Sequence, residues 1–294
     1  MKDNLSAYVY FAGWRIVRWL PENSAYKLAY GFSDFLVKRN GKSVQRLRSN
    51  LSRTQPGITA LNLDLLLIEA MRSYMRYWVD TFRLPDWSDV RIIETVTVTN
   101  EHLLTDAIAA KTGVVVAVPH AGNWDHAGAY FCAKGIRLVT VAERLKPEKL
   151  FLKFLAYRQA MGMEVLPLDG RVLNTLQERL NEGALVALVS DRDLSRSGIE
   201  VEFFGGKARM PAGPALLALR TKAPLITAFV SYTDNGVHIE FRHVVLPNRG
   251  DESSKVQEIV QMTAQYFEDG ISENPQDWHM LQRIWVDGDF KERP

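Results

Sequence analysis

Apolar residues recur at helical spacing through the first eighty positions, then give way to short runs rich in β-branched side chains. Leu5, Tyr8, Val9, Ala12, Ile16 and Trp19 predict a helix over 4–20, with Arg15 and Arg18 on its other side. Pro21 interrupts it, and further helices are predicted over 23–38, 42–52 and 63–80. From residue 91 the pattern changes. Alternation over 92–98 predicts a half-buried strand, and the unbroken run VVVAV at 114–118 predicts one buried on both faces. Strands are also predicted at 136–142, 163–168, 184–190, 201–204, 224–230 and 237–245. Helical stretches at 101–110, 123–133, 147–161, 171–181, 212–222 and 253–269 separate most of them. This alternation implies an α/β fold, with a largely parallel central sheet and helices on both faces. No linker, repeat or low-complexity segment divides the chain. Residues 1–294 therefore read as a single domain, with 1–55 as an amphipathic, basic helical extension.

Composition adds a bias in where charge lies. Of 294 residues, 47% are apolar and 24% charged, which excludes a disordered chain. The net charge of +2 conceals an asymmetry: residues 1–53 carry ten Lys or Arg against three acids, or +7, leaving −5 for the rest. Such a leader is drawn to anionic lipid or to nucleic acid. No base-reading motif accompanies it, so nucleic acid is not an expected partner. No run reaches the roughly 18–20 apolar residues that a spanning helix needs. The best N-terminal run is cut by Arg15 and Arg18 and lacks a signal-peptide cleavage site, so any membrane contact is expected to be peripheral. Tyr8, Tyr10, Trp14 and Trp19 are residues of the headgroup region, and the adjoining KRNGKSVQRLR is basic. Two amphipathic helices packed on a core would give the same pattern, and both readings hold if each takes one face. The single cysteine, Cys132, rules out an intrachain disulfide framework, and its place in an apolar helix marks it as a small hydrophobe rather than a nucleophile.

In a parallel sheet, ligands bind beyond the carboxyl ends of the strands, and three predicted strand ends carry reactive residues. In VVVAVPHAGNWDHAG (114–128), His120 follows a buried strand and Asp125 stands five residues on. A carboxylate folding back on one ring nitrogen would make the other a general base. The competing readings are Asp125 as a helix N-terminal charge, and a metal site of His120, Asp125, His126 and later acids. In VSDRDLSRSGIEVEFFGGKARMPAG (189–213), Asp191, Arg192 and Asp193 end a strand, and Lys207 and Arg209 precede a helix start suited to phosphate or an oxyanion; a salt-bridged hairpin is the alternative. In VAERLKPEKLFLKFLAYRQAMG (141–162), Glu143 and Arg144 follow a strand. Arg158 either lies along the helix surface or points a fork at a carboxylate or phosphate.

The His-x4-Asp of HAGNWD, the strand-end DRDL, VEFFGGKARMPAGPALLALRTKAPL and the closing WHMLQRIW resemble the bacterial lipid A biosynthesis acyltransferase family, from about residue 5 to about 290. Asp in the His motif, RYWVDTFRLP (76–85), GNWDHAG and RMPAGPA are most similar to its actinobacterial phosphatidylinositol mannoside branch. The resemblance implies a fold like that of glycerol-3-phosphate acyltransferase, on the cytoplasmic face of the inner membrane. It implies transfer of a long acyl group, palmitoyl, from acyl-CoA to a mannose hydroxyl of a mannosylated phosphatidylinositol. It matches the catalytic pair to His120 and Asp125 and a further acid to Asp191, with Asp193 and Glu202 as competitors. It places Glu143 and Arg158 in the acceptor pocket; Arg144, Arg192 and Arg209 complete the expected substrate-binding set. Neither cofactor nor metal is expected. The rivals are a lipid A or glycerol-phosphate acceptor, a non-catalytic lipid-binding protein, and a metal-dependent hydrolase.

Overall fold

A computed structural model describes residues 12–142, 148–168, 171–193 and 195–287. The N-terminal part is helical: α1 (12–19), α2 (Glu22–Arg39), α3 (Lys42–Thr54) and α4 (Ala60–Arg83). Ala25 and Ala29 of α2 are small enough to bring that helix close against Val79 of α4. Val44, Leu47 and Leu51 of α3 close a second apolar cluster with Leu63, Leu67 and Met71. Trp14 departs from its expected place among headgroup residues. It is only 4% exposed, donates its indole N–H to the Phe82 carbonyl at 3.1 Å and stacks on the Phe82 ring. Trp19, by contrast, is 85% exposed. Tyr8 and Tyr10 lie outside the described residues.

The predicted strand at 92–98 is a correction. Ser88 accepts the Arg91 backbone N–H and starts a helix, α5 (Asp89–Glu94), so only β1 (Val96–Thr99) is extended. Beyond it come α6 (His102–Ala109), β2 (Val114–Val118), α7 (Trp124–Ala133), β3 (Leu138–Ala142), α8 (Glu148–Ala160), β4 (Glu164–Pro167), α9 (Val172–Asn181) and β5 (Leu185–Val189). Then follow β6 (Ile199–Phe203), β7 (Gly206–Met210), α10 (Gly213–Thr221), β8 (Leu225–Tyr232), β9 (Val237–Val244) and α11 (Glu252–Glu273).

Seven strands form one sheet in the order β1-β9-β8-β2-β5-β3-β4. The five from β8 to β4 are mutually parallel, each reached through a helix. The link from β8 to β9 is too short for a crossover, so β9 turns back antiparallel and β1 pairs parallel to it. All five residues of β2 are buried. Val115 and Ala117 join the core under α9, α10 and α11, while Val114, Val116 and Val118 join the core under α6 and α7. The stretch 201–204 does not enter this sheet. β6 and β7 make a separate antiparallel hairpin, turned at Phe204 and Gly205, whose φ angles of 46° and 67° suit a primed two-residue turn. Among the described residues no helix is long and apolar enough to cross a membrane.

Candidate active site

The centre of the site arises from strand register. β2 and β5 are parallel neighbours with Val118 opposite Val189, and each chain continues two residues to a polar side chain. His120 and Asp191 are thereby brought side by side. The His120 Nδ1 lies 2.5 Å from Asp191 Oδ1, and the His120 backbone N–H donates to Asp191 Oδ2 at 3.0 Å. The Trp278 indole N–H donates to that same Oδ2 at 3.0 Å. Asp191 is wholly buried, whereas the His120 side chain is 38% exposed. Burial pushes the Asp191 carboxyl up, but the His120 ring and the N–H donors from His120 and Trp278 outweigh it and hold the group below its ordinary value.

The loop that carries His120 is held by backbone. The Gly122 N–H donates to the Asp277 carbonyl, the His279 N–H donates to the His120 carbonyl at 2.7 Å, and Ala121 pairs with Trp278 in an antiparallel bridge. Gly122 has φ of 56°, and a Cβ there would stand 2.4 Å from the Val230 carbonyl oxygen, so only glycine fits. Asn123 then caps α7 by accepting the His126 N–H.

That cap separates Asp125 from His120, which corrects the expected pairing. No hydrogen bond joins the two. Starting α7 at Trp124 turns Asp125 toward α8 and α4, where it accepts from Arg158 Nε at 2.7 Å and Nη2 at 3.4 Å, and from the Tyr77 hydroxyl at 3.0 Å. Arg158 therefore spends its fork on a protein carboxylate. Burial works against its charge, but Asp125 more than offsets this and raises its pKa. Trp124 lies between the two centres, edge-on to the His120 ring at 5.5 Å and stacked on Tyr77 at 4.4 Å. His126 faces elsewhere, toward Thr95 Oγ1 at 3.1 Å and the Trp87 ring, and burial lowers its pKa to about 4. His120, Asp125 and His126 thus serve three different partners, and among the described residues no cluster of His, Cys, Asp or Glu is arranged to hold a metal.

Neither competing acid is hydrogen-bonded to His120. Asp193 caps the Ser195 N–H, and Glu202 sits on the exposed side of β6, its backbone bonded to Gln261. Arg192 donates to the Arg283 carbonyl, and the Arg209 carbonyl accepts the Asp193 N–H. Glu143 and Arg144 lie outside the described residues. Cys132 is half-buried, and burial pushes its thiol up to about 11, which leaves it unreactive at neutral pH.

Against the sheet face under α7 runs a cavity with Trp124, Asp125 and Arg158 in its wall and otherwise mostly apolar side chains, among them Val118, Phe131 and Phe241. Its wall follows β5 from Leu185 to Val189, a length of about 13 Å at the usual strand rise. Trp124 is shared between this cavity and the His120 ring. Trp278 and Tyr77, which bind the two carboxylates, have no role predictable from sequence; their segments, WHMLQRIW and RYWVDTFRLP, carry family likeness but no chemical signal of their own.

Residues 2–287 match the family model described as bacterial lipid A biosynthesis acyltransferase. The chain is 40% identical over 280 residues to a phosphatidylinositol mannoside acyltransferase of Mycolicibacterium smegmatis, covering 94% of this chain and 90% of the relative. It is likewise 40% identical over 285 residues to a phosphatidylinositol mannoside acyltransferase of Mycobacterium tuberculosis, covering 95% and 88%.

Proposed function

This chain belongs to the bacterial lipid A biosynthesis acyltransferase family and is an acyltransferase, and on that premise we propose that it moves palmitoyl from acyl-CoA to a mannose hydroxyl of phosphatidylinositol mannoside. The reaction takes place at the cytoplasmic face of the cell membrane, with the protein bound peripherally. The acceptor is drawn from the names of the mycobacterial relatives. The observation that carries the chemistry is the His120–Asp191 pair at a strand mouth.

With Asp191 accepting from Nδ1–H, the lone pair sits on Nε2, and among the described residues no hydrogen bond occupies that nitrogen. Nε2 takes the proton of the sugar hydroxyl as its oxygen adds to the thioester carbonyl. Collapse of the tetrahedral intermediate breaks the carbon–sulfur bond, and the departing CoA sulfur takes the proton from the imidazolium. The product is an ester, and the base is regenerated. Asp191 stabilises the imidazolium between the two steps. Acid–base help of this kind is worth roughly 10²–10⁴ in rate.

The apolar cavity, of about 70 Å³, has room for only a few methylenes of a fatty chain, each contributing about 0.8 kcal/mol on burial. Leu28, Phe32 and Phe35 form one exposed apolar stripe of α2 that flanks the buried face of Ala25, Ala29 and Ser33. Lys38 and Arg39 end that helix. An apolar stripe beside cations suits an anionic lipid surface.

One experiment tests the assignment. Incubation with palmitoyl-CoA and mannosylated phosphatidylinositol should yield the acylated mannolipid by mass spectrometry, and His120→Ala should abolish it. Acylation of a lipid A precursor or of glycerol phosphate instead would overturn the acceptor, and a near wild-type rate for His120→Ala would overturn the mechanism.

A further inference from the structure

Asp191 has two oxygens and three N–H donors, and the third donor comes from a distant part of the chain. His120 supplies its ring N–H to Oδ1 and its backbone N–H to Oδ2. The indole of Trp278 supplies the other bond to Oδ2, at 3.0 Å. Trp278 is fully buried, with Phe203 edge-on at 5.9 Å and Phe204 tilted at 6.3 Å, so the ring has little freedom to turn away. The same short segment grips the His120 loop through backbone at Asp277, Trp278 and His279. One segment therefore fixes both partners: the loop through its main chain, and the carboxylate through its indole.

We propose that Trp278 is a positioning residue for the transfer reaction, holding Asp191 so that Oδ1 meets His120 Nδ1 and drawing part of the carboxylate's charge onto its own N–H. This rests on the reading of His120 and Asp191 as the working pair. The indole is fully buried and offers no surface to donor or acceptor. Its effect passes through Asp191 to the basicity and aim of His120 Nε2. A carboxylate that loses a donor keeps more charge for its remaining partner, so the imidazolium is better stabilised and the base needs a higher pH to be free.

The test compares Trp278→Phe with a protein carrying β-(3-benzothienyl)alanine at 278, an isostere that keeps the bicyclic ring and lacks the N–H. Palmitoyl-CoA and mannosylated phosphatidylinositol are the substrates, and Asp191→Asn is run in parallel. For both Trp278 variants the acid limb of the kcat/KM profile should move up by roughly half to one pH unit. For both, the loss of aim at His120 Nε2 should outweigh the better-stabilised imidazolium, so kcat should fall roughly tenfold while KM for the acceptor stays within about twofold. An unmoved acid limb in the isosteric protein, with Asp191→Asn strongly impaired, would overturn the role of the indole. A shift in Trp278→Phe alone would assign the effect to packing and overturn it equally. Wild-type activity in Asp191→Asn would instead remove the reading beneath it.

Discussion

Replacing Asp191 by Asn removes one charge and leaves the shape unchanged, and the hydrogen bonds decide the outcome. The carboxylate accepts two N–H groups at Oδ2, both at 3.0 Å, and one at Oδ1, at 2.5 Å. An asparagine has a single carbonyl oxygen to share among them. If that oxygen faced Nδ1, the amide NH₂ would confront two buried donors, at a cost of about 1–3 kcal/mol for each left unpaired. The favoured arrangement keeps the oxygen at the Oδ2 position and turns NH₂ toward Nδ1. His120 must then offer a lone pair at Nδ1, which moves its proton to Nε2, the nitrogen assigned to take the substrate's proton. A base in the wrong tautomer costs about 10⁴ in kcat where the comparable change has been made in serine proteases. That corresponds to about 5.5 kcal/mol of barrier. The rate of radiolabelled palmitoyl transfer to the mannolipid measures it, with circular dichroism confirming an unchanged fold. An Asp191→Asn protein that folds normally and transfers within tenfold of the wild-type rate would refute the reasoning.

Arg158→Met should destabilise the protein by about 3 kcal/mol in urea unfolding, because Asp125 is left buried with Tyr77 alone; a loss below about 1 kcal/mol would show the pair to be dispensable. Phe32→Ser with Phe35→Ser should weaken binding to anionic vesicles at least about tenfold in cosedimentation and leave the urea midpoint in place, since both rings are exposed. His126 is depressed to about 4 in the folded chain against 6.5 for the free side chain, so its stabilising contribution is full above 6.5 and is lost as pH falls toward 4. Relative to wild type, His126→Gln should therefore gain on the order of 3 kcal/mol between pH 7 and pH 4; parallel stability curves would contradict this.

How far the chain's own pattern reveals this molecule varies by element. VVVAV at 114–118 announces a strand buried on both faces because no polar residue interrupts it, and all five positions are buried. The run IIETVTV alternates like a strand, yet Ser88 lies upstream as a cap, and its bond to the Arg91 N–H turns the first half into helix. The partner of His120 is obscured for a related reason. Spacing along the chain favours Asp125, but the Gly122 turn and the Asn123 cap restart the backbone as α7 and carry that carboxylate to Arg158. Asp191 lies 71 residues away, and its proximity depends on β2 and β5 being neighbours in register, which local pattern does not encode. Trp278 is more distant still, at 87 residues from Asp191, and a lone tryptophan before a histidine carries no signal of a carboxylate partner.

The order of synthesis gains meaning from the clasp between residues 277–279 and the His120 loop. A chain emerging from the ribosome has made its histidine and its aspartate long before the indole that grips the aspartate exists. A nascent protein at that stage therefore lacks the clasp that the proposed pair leans on. On the proposed reading the pair is complete only once this late segment has emerged, and a polypeptide cut short before residue 277 would keep most of the sheet and none of the clasp.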